Sequence, residues 1–223
     1  MKRVIEIRAA EGGDDAKLFV SDLADAYQRL GNKLGWIIRT QGSWPGEIHL
    51  LVNGPDLTSL ESEAGGHRIQ RIPPTERKGR VHTSTVTVAI IDPEVTVIAF
   101  NERDCSVDWF SGTGAGGQHR NKHQNSCRIV HIPTGITAVA QCRSRTNSLT
   151  EAMGIIQKRL DETVRTKYNK AIAQDRKAQV GSGMRGDKIR TYRFQDDKVL
   201  DHVSNKTASV KKVLAGNFDL LWR

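Results

Sequence analysis

Gly112, Gly114, Gly116 and Gly117 fall within six positions and run directly into Gln118, with Arg120 and Lys122 close behind. Glycine reaches backbone conformations closed to other residues and lets a bulky partner approach the main chain. A glutamine at the end of such a run offers its side-chain amide together with its own backbone N–H. Residues 111–145 contain Arg120, Lys122, Arg128, Arg143 and Arg145 and not one Asp or Glu. An amide carried on a glycine arm through a purely cationic stretch is suited to a cavity walled by nucleic acid, where it can do chemistry as well as bind.

Other chemistries built on glycine loops fit less well. Gly112, Gly114 and Gly117 match the spacing of a dinucleotide-binding turn, which would make the chain an oxidoreductase. That turn also needs a βαβ unit and an acidic residue about 20 positions on to hold a ribose. The next acidic residue here is Glu151, and strand-like segments follow the loop. A phosphate-cradling P-loop requires Gly-Lys before Ser or Thr where Gly117-Gln118-His119 stands. His119 and His123 are four apart but lack the Glu of the helical zinc motif. Cys105, Cys127 and Cys142 are odd in number and show no CxxC spacing, which argues against a disulfide framework and a zinc site. No metal and no cofactor is expected.

The elements that must position this loop can be read from periodicity. Residues 3–9 read as a strand. Ala16, Val20, Leu23, Tyr27, Leu30 and Leu34 recur at spacings of three and four and predict an amphipathic helix closed by Gly35. Residues 36–40 and 47–52 predict a hairpin, and residues 53–80 form a polar segment that gives way to a β-branched strand over 83–91. A second unit starts near Asp104. Residues 106–110 lead into the glycine loop, and 127–132 and 136–142 pair through Pro133-Thr134-Gly135. Ser148 and Glu151 predict a capping box opening a basic helix that runs to about Gln174. Residues 181–186 read as a hinge, followed by a strand over 189–194 and a short C-terminal helix. The fold class expected is α+β, two units of mixed sheets with packed helices.

Charge is divided along the 223 residues. The net charge is +9, yet residues 1–110 carry 13 Lys and Arg against 16 Asp and Glu, whereas residues 111–223 carry 21 against 9. Such asymmetry points to a nucleic-acid-facing C-terminal half. No apolar run reaches the length that spans a bilayer. No membrane association is expected, and the protein is read as soluble and cytoplasmic.

Several motifs together carry a resemblance. Residues 114–121, Gly-Ala-Gly-Gly-Gln-His-Arg-Asn, are similar to the signature of class I peptide chain release factors, and residues 128–136 continue the pattern. Upstream, residues 65–75 and 79–84 resemble the stop-codon-reading domain of that family, and residues 189–194 with Asp201 and His202 also fit. The resemblance implies two-unit release-factor architecture: a codon-recognition domain over 1–103, a Gly-Gly-Gln domain over 104–178, and a C-terminal segment over 179–223 that returns to the codon-recognition unit. It implies translation termination at UAA and UAG by hydrolysis of the peptidyl-tRNA ester, with the ribosome as partner through its RNA, the messenger stop codon and the P-site peptidyl-tRNA. Gly116, Gly117 and Gln118 would carry the chemistry, ribosome-dependent and not that of a free-standing enzyme. Gln118 would also be a methylation site, so a glutamine methyltransferase is an implied partner of an otherwise monomeric factor.

Codon reading falls, by the same resemblance, on Gly13 and Asp15 at the start of the first helix, on Pro73-Pro74-Thr75, and on Gln70, His82 and Thr83. Thr75 would meet the first two bases, His82 would stack between the second and third, and Gln70 and Thr83 would read the third. Arg120, Lys122, Arg128, Arg143 and Arg145 would neutralise RNA phosphates. The chain departs from the family in beginning at what resembles its second domain. It also carries Asp15 where Glu is usual, Arg120 for Val and Ser111 for Arg. A codon-independent rescue hydrolase and a non-catalytic competitor of termination remain alternatives.

Overall fold

The computed structural model describes residues 1–93, 100–113, 117 and 122–222. In chain order the strands are β1 (Lys2–Ala9), β2 (Ile37–Trp44), β3 (Glu47–Asn53), β4 (Gly65–Arg71), β5 (His82–Ile91) and β6 (Cys105–Phe110). They continue with β7 (Ser126–His131), β8 (Ile136–Ala140), β9 (Arg190–Arg193), β10 (Lys198–Asp201) and β11 (Thr207–Ala208). The helices are α1 (Asp14–Leu34), α2 (Arg145–Val180) and α3 (Val210–Leu214). Two compact units result, Met1–Glu94 with Ile172–Arg223, and Val95–Ala171. The class is α+β.

The first unit is an eight-stranded sheet in the order β11-β10-β9-β4-β5-β1-β3-β2, antiparallel throughout except where β4 pairs with β9. Helix α1 forms as its periodicity predicts and buries Ala16, Phe19, Val20, Leu23, Tyr27 and Leu30 on the sheet. It stops at Gly35, whose left-handed φ of 70° lets the backbone N–H return to Gly31 O. Strand β5 is buried on every residue from Ser84 to Ile91 because both faces are covered. Val86, Val88 and Ile90 join the core beneath α1, whereas Ala89 and Ile91 meet Val4 and, from the end of α2, Ile172 and Val180. Each buried Val or Ile among them contributes roughly 1.5–3 kcal/mol. Where β5 outruns β4, the Gln179 amide takes the place of a strand. Its Oε1 accepts from Ile90 N at 2.7 Å and its Nε2 donates to Ile90 O at 2.8 Å.

Fully buried Arg190 fastens β9 and β10 into this unit. It donates to Glu63 Oε2 at 2.5 Å, and Nε and Nη2 reach Asp201 Oδ2 at 3.1 and 2.9 Å. Glu63 also accepts from Tyr27 OH at 3.0 Å and from Trp222 Nε1 at 2.6 Å.

The second unit is the three-stranded antiparallel sheet β6-β7-β8. Cys127, Ile129, Ala138 and Ala140 pack on Ala152, Ile156 and Leu160 of α2. Helix α2 corrects two sequence expectations. It opens at Arg145, three residues before the expected cap, and Ser148 is buried inside its first turn. The Ser148 hydroxyl accepts from Cys142 N at 2.8 Å and its own N–H goes to Ser144 O, so no Ser148–Glu151 box forms. The helix also runs past Gln174 to Val180. Its last turns are held by Ile172 and Val180 in the apolar layer and by Arg176, which grips Glu6 through two 2.7 Å bonds.

Candidate nucleic-acid interface

In the first unit the loop joining β4 to β5 carries the expected reading residues. Pro73 is buried, Pro74 and Thr75 are exposed, and Glu76 N closes a turn on Pro73 O at 3.0 Å. Glu76, which the sequence reading passed over, organises the rest. It accepts from Lys78 N at 2.6 Å, from Arg80 Nε and Nη2 at 3.2 and 3.1 Å, and pairs with His82 Nε2 at 2.8 Å. The Lys78 backbone bond first, then His82 and Arg80, lower its pKa to about 2. Glu76 is the sole acid between Glu63 and Asp92, in a stretch holding Arg68, Arg71, Arg77, Lys78 and Arg80. That isolation was the available signal.

The strands then sort the remaining residues by face. Gln70 and Thr83 are direct cross-strand partners, as are Arg71 and His82. Side chains alternate along a strand, so His82 lies on the α1 side and Gln70 and Thr83 lie together on the opposite side. Thr75 shares the wall of a surface cavity of about 360 Å³ with Asp14, Lys17 and Trp44, which sets the loop beside the start of α1.

That helix start is tightly built. Gly12 has φ 119°, and a Cβ on it would fall 2.3 Å from Ser84 Oγ, so only glycine lets the turn lie on β5. Gly13, at φ 61°, precedes the first helical residue and leaves the opening N–H groups of the helix without a side-chain cap. Asp15 is buried, not presented at the surface. Its two oxygens accept from Arg71 Nε and Ser84 Oγ, both at 2.7 Å. Arg71 also reaches Asp22 at 2.8 Å and lies over the rings of Phe19 and Phe194. Asp15 and Arg71 thus bind α1 to the strands on either side of the loop.

In the second unit Gly116, Gln118 and Arg120 lie outside the described residues. Gly117 is exposed, and a Cβ built on it meets no heavy atom within 4 Å. The stems that lead to and from the loop are anchored on the β8–α2 connection. Thr113 N donates to Gln141 Oε1 at 3.2 Å, and Asn125 Nδ2 donates to Arg143 O at 2.9 Å. Gly112, His123, Asn125, Gln141 and Arg143 line a cavity of about 240 Å³ between these stems. Lys122, Arg128, Arg143 and Arg145 are all exposed, and the Arg145 guanidinium sits 4.0 Å from the Trp109 ring centroid. Among the described residues no group of three His, Cys, Asp or Glu is placed to hold a metal, and no helix is long and apolar enough to cross a membrane.

Comparison with known proteins matches two successive parts of the chain to known domains. Residues 1–88 match the PCRF domain and residues 93–203 match the RF-1 domain. Three curated relatives are each described as peptide chain release factor 1. That of Gluconobacter oxydans is 39% identical, covering 97% of this chain and 64% of the relative. That of Malacoplasma penetrans is 41% identical, covering 96% and 62%, and that of Acidiphilium cryptum is 42% identical, covering 97% and 64%. The chain thus spans just under two thirds of the length of these relatives. Among solved structures, RF2 of Thermus thermophilus aligns with a TM-score of 0.55 at 27% identity, over 99% of this chain and 66% of that one.

Proposed function

We propose, proceeding from the fact that the chain belongs to the class I peptide chain release factor family, that it ends translation by reading UAA and UAG in the ribosomal A site and triggering release of the finished peptide. Its partners are the ribosomal RNA, the messenger codon and the P-site peptidyl-tRNA. It acts in the cytoplasm as a monomer, and a glutamine methyltransferase modifies Gln118. Codon reading belongs to residues 1–103 with 179–223, and hydrolysis to 104–178.

One observation carries the reading. The exposed Thr75 turn stands beside the open start of α1, His82 lies on that same side of the sheet, and Gln70 and Thr83 pair across the strands on the other face. Single-stranded RNA is read by side chains that hydrogen-bond and stack on splayed bases. Gly13 and the free N–H groups of the helix start suit the carbonyl oxygens of a first uridine. Thr75 then meets the first two bases, the His82 ring separates the second from the third, and Gln70 and Thr83 take the third. Asp15 serves this arrangement from below by holding Arg71.

At the other end, water attacks the ester carbonyl carbon of peptidyl-tRNA. The bond to the 3′-oxygen breaks and that oxygen takes a proton, giving a free peptide carboxyl and a tRNA 3′-hydroxyl. Gly116 and Gly117 permit the close backbone approach, and the Gln118 N–H donates to the developing oxyanion or the leaving oxygen, a contribution of about 3 kcal/mol. The Gln118 side chain positions the water. Arg120, Lys122, Arg128, Arg143 and Arg145 neutralise RNA phosphates around the loop. Most of the catalytic surface is ribosomal, so the chain is a ribosome-dependent hydrolysis factor.

Peptide release from ribosomes carrying UAA, UAG, UGA, a sense codon or no codon in the A site tests this. Release on UAA and UAG alone is expected. Equal release on UGA and UAG would overturn the codon assignment, and release with an empty A site would identify a rescue factor.

A further inference from the structure

Strands β4 and β9 gather cations on the face turned away from α1. Ile69 and Tyr192 belong to the core beneath α1, so by alternation Arg68 and Arg193 lie on the opposite face with Gln70, Thr83 and Thr85. Arg68 is the register partner of Thr191, and Gln70 that of Arg193. Lys188 enters β9 from one end, and His202, just past β10, shares a 2.9 Å contact with Thr191 Oγ1. These charges feel one another. Burial first, then Arg193, lower the pKa of Arg68, and burial followed by Lys188 and Arg68 keeps His202 below its usual range. The carboxylate beneath, Asp201, raises His202 in opposition but is taken up by Arg190 and by the backbone N–H groups of Val203 and Ser204. Among the described residues Arg68, Lys188 and Arg193 form no ion pair.

Near these cations two polar atoms on this face also lack partners. Arg68 Nε and Thr85 Oγ1 are both buried without a hydrogen bond, and they belong to directly opposed residues of β4 and β5. Thr85 is wholly buried. A buried donor left unmade is costly, and it marks a place where an acceptor belongs. Three cations that form no ion pair, one of them with an unpartnered guanidinium N–H, call for an oxyanion with several acceptor oxygens.

We propose that Arg68, Lys188 and Arg193 form a phosphate site for single-stranded RNA, adjoining Gln70 and Thr83. It holds the backbone of the strand whose base those two residues read, so the proposal rests on the codon-reading assignment. Arg193 is the register partner of Gln70 and Arg68 lies two residues before it on β4, so a phosphate held there would fix the strand's register without reading sequence. The phosphodiester belongs to the message or to neighbouring ribosomal RNA.

The test has two arms, both using the whole chain. In the first, a fluorescent single-stranded RNA containing UAA is titrated with wild type and with Arg68→Gln/Arg193→Gln between ~50 and ~300 mM KCl, where each phosphate neutralised adds about 0.7 to the log–log salt slope. The double variant should bind more weakly at low salt with a slope lower by that amount, and Arg68→Lys/Arg193→Lys should restore it. This arm needs no release activity, so it stands or falls apart from the termination reading. In the second arm, half-saturating factor concentration is measured on ribosomes whose message either stops at UAA or continues beyond it. A several-fold rise for the Gln variant, with maximal release rate unchanged, is expected. A rise confined to the longer message assigns the phosphate to the message, and a rise on both assigns it to ribosomal RNA. An unchanged salt slope in the first arm, or a Lys variant no better than the Gln variant, overturns the site.

Discussion

Glu76 shows how one side chain sets the shape of a loop. Its carboxylate gathers a backbone N–H, a guanidinium and an imidazole from the next six residues, and so fixes Thr75 and His82 relative to each other. Glu76→Gln keeps an acceptor but loses the charge that strengthens all three bonds. The Glu76 side chain is only 5% exposed, so losing that charge should also lower the melting temperature measurably. Half-saturation for release on UAA should rise several-fold, and release on UGA should become measurable. Unchanged codon selectivity in release assays would count against the tether. The pKa near 2 sets the acid limit, because the carboxylate bonds are present above the usual range for Glu and are lost only as pH falls through about 2. At the other end, the Cβ of Gly117→Ala meets no heavy atom of the described residues within 4 Å, so folding should be unaffected while release falls by tenfold or more. Gln118→Ala keeps its backbone N–H and should retain more release than Gly117→Ala. The reverse order in single-turnover release would contradict the backbone role.

Strand β4 is the element that the sequence pattern concealed. Gly65-Gly66-His67-Arg68-Ile69-Gln70-Arg71 has no apolar alternation and lies in a segment read as merely polar, yet it is a central strand. It is central because its polar side chains find buried partners: His67 with Glu63 O and Tyr192 OH, Arg71 with Asp15 and Asp22. Its parallel neighbour β9 is far away in sequence, and no local period reports such pairing. Helix α1 and strand β5, by contrast, bury continuous apolar sets and were legible from spacing alone. The capping box misled because the Ser148 hydroxyl was claimed by Cys142 N, a tertiary contact that no four-residue motif encodes. The docking of β9 and β10 yields a prediction at this scale. Arg190→Leu leaves Glu63 and Asp201 buried without their cation and should cost about 3–5 kcal/mol. The urea midpoint should fall accordingly, and adding Glu63→Gln and Asp201→Asn should recover part of the loss. A midpoint shift under about 1 kcal/mol would show that the pair is not needed to hold these strands.

Across the whole molecule, binding and stability answer to different conditions. Contacts between arginines or lysines and RNA phosphates are electrostatic, so ribosome binding should weaken as salt rises. Folding should answer to His67. Burial first, and the nearby Arg190 charge second, lower its pKa from 6.5 to about 4, so the native ring is neutral, held between Glu63 O and Tyr192 OH. In the unfolded chain the ring takes up a proton near pH 6.5, whereas the native ring resists until about 4. Between those values the unfolded state binds more protons, so stability rises with pH across the window. It is complete above about 6.5 and declines as pH falls toward 4, by about 3 kcal/mol in total. Equilibrium urea unfolding at intervals from pH 7.5 to pH 4.5 should show this slope in the wild type. His67→Gln, which cannot take up the proton, should show a flatter limb whatever its absolute stability. Parallel limbs in the two proteins would mean that His67 is not the group through which acid loosens the fold.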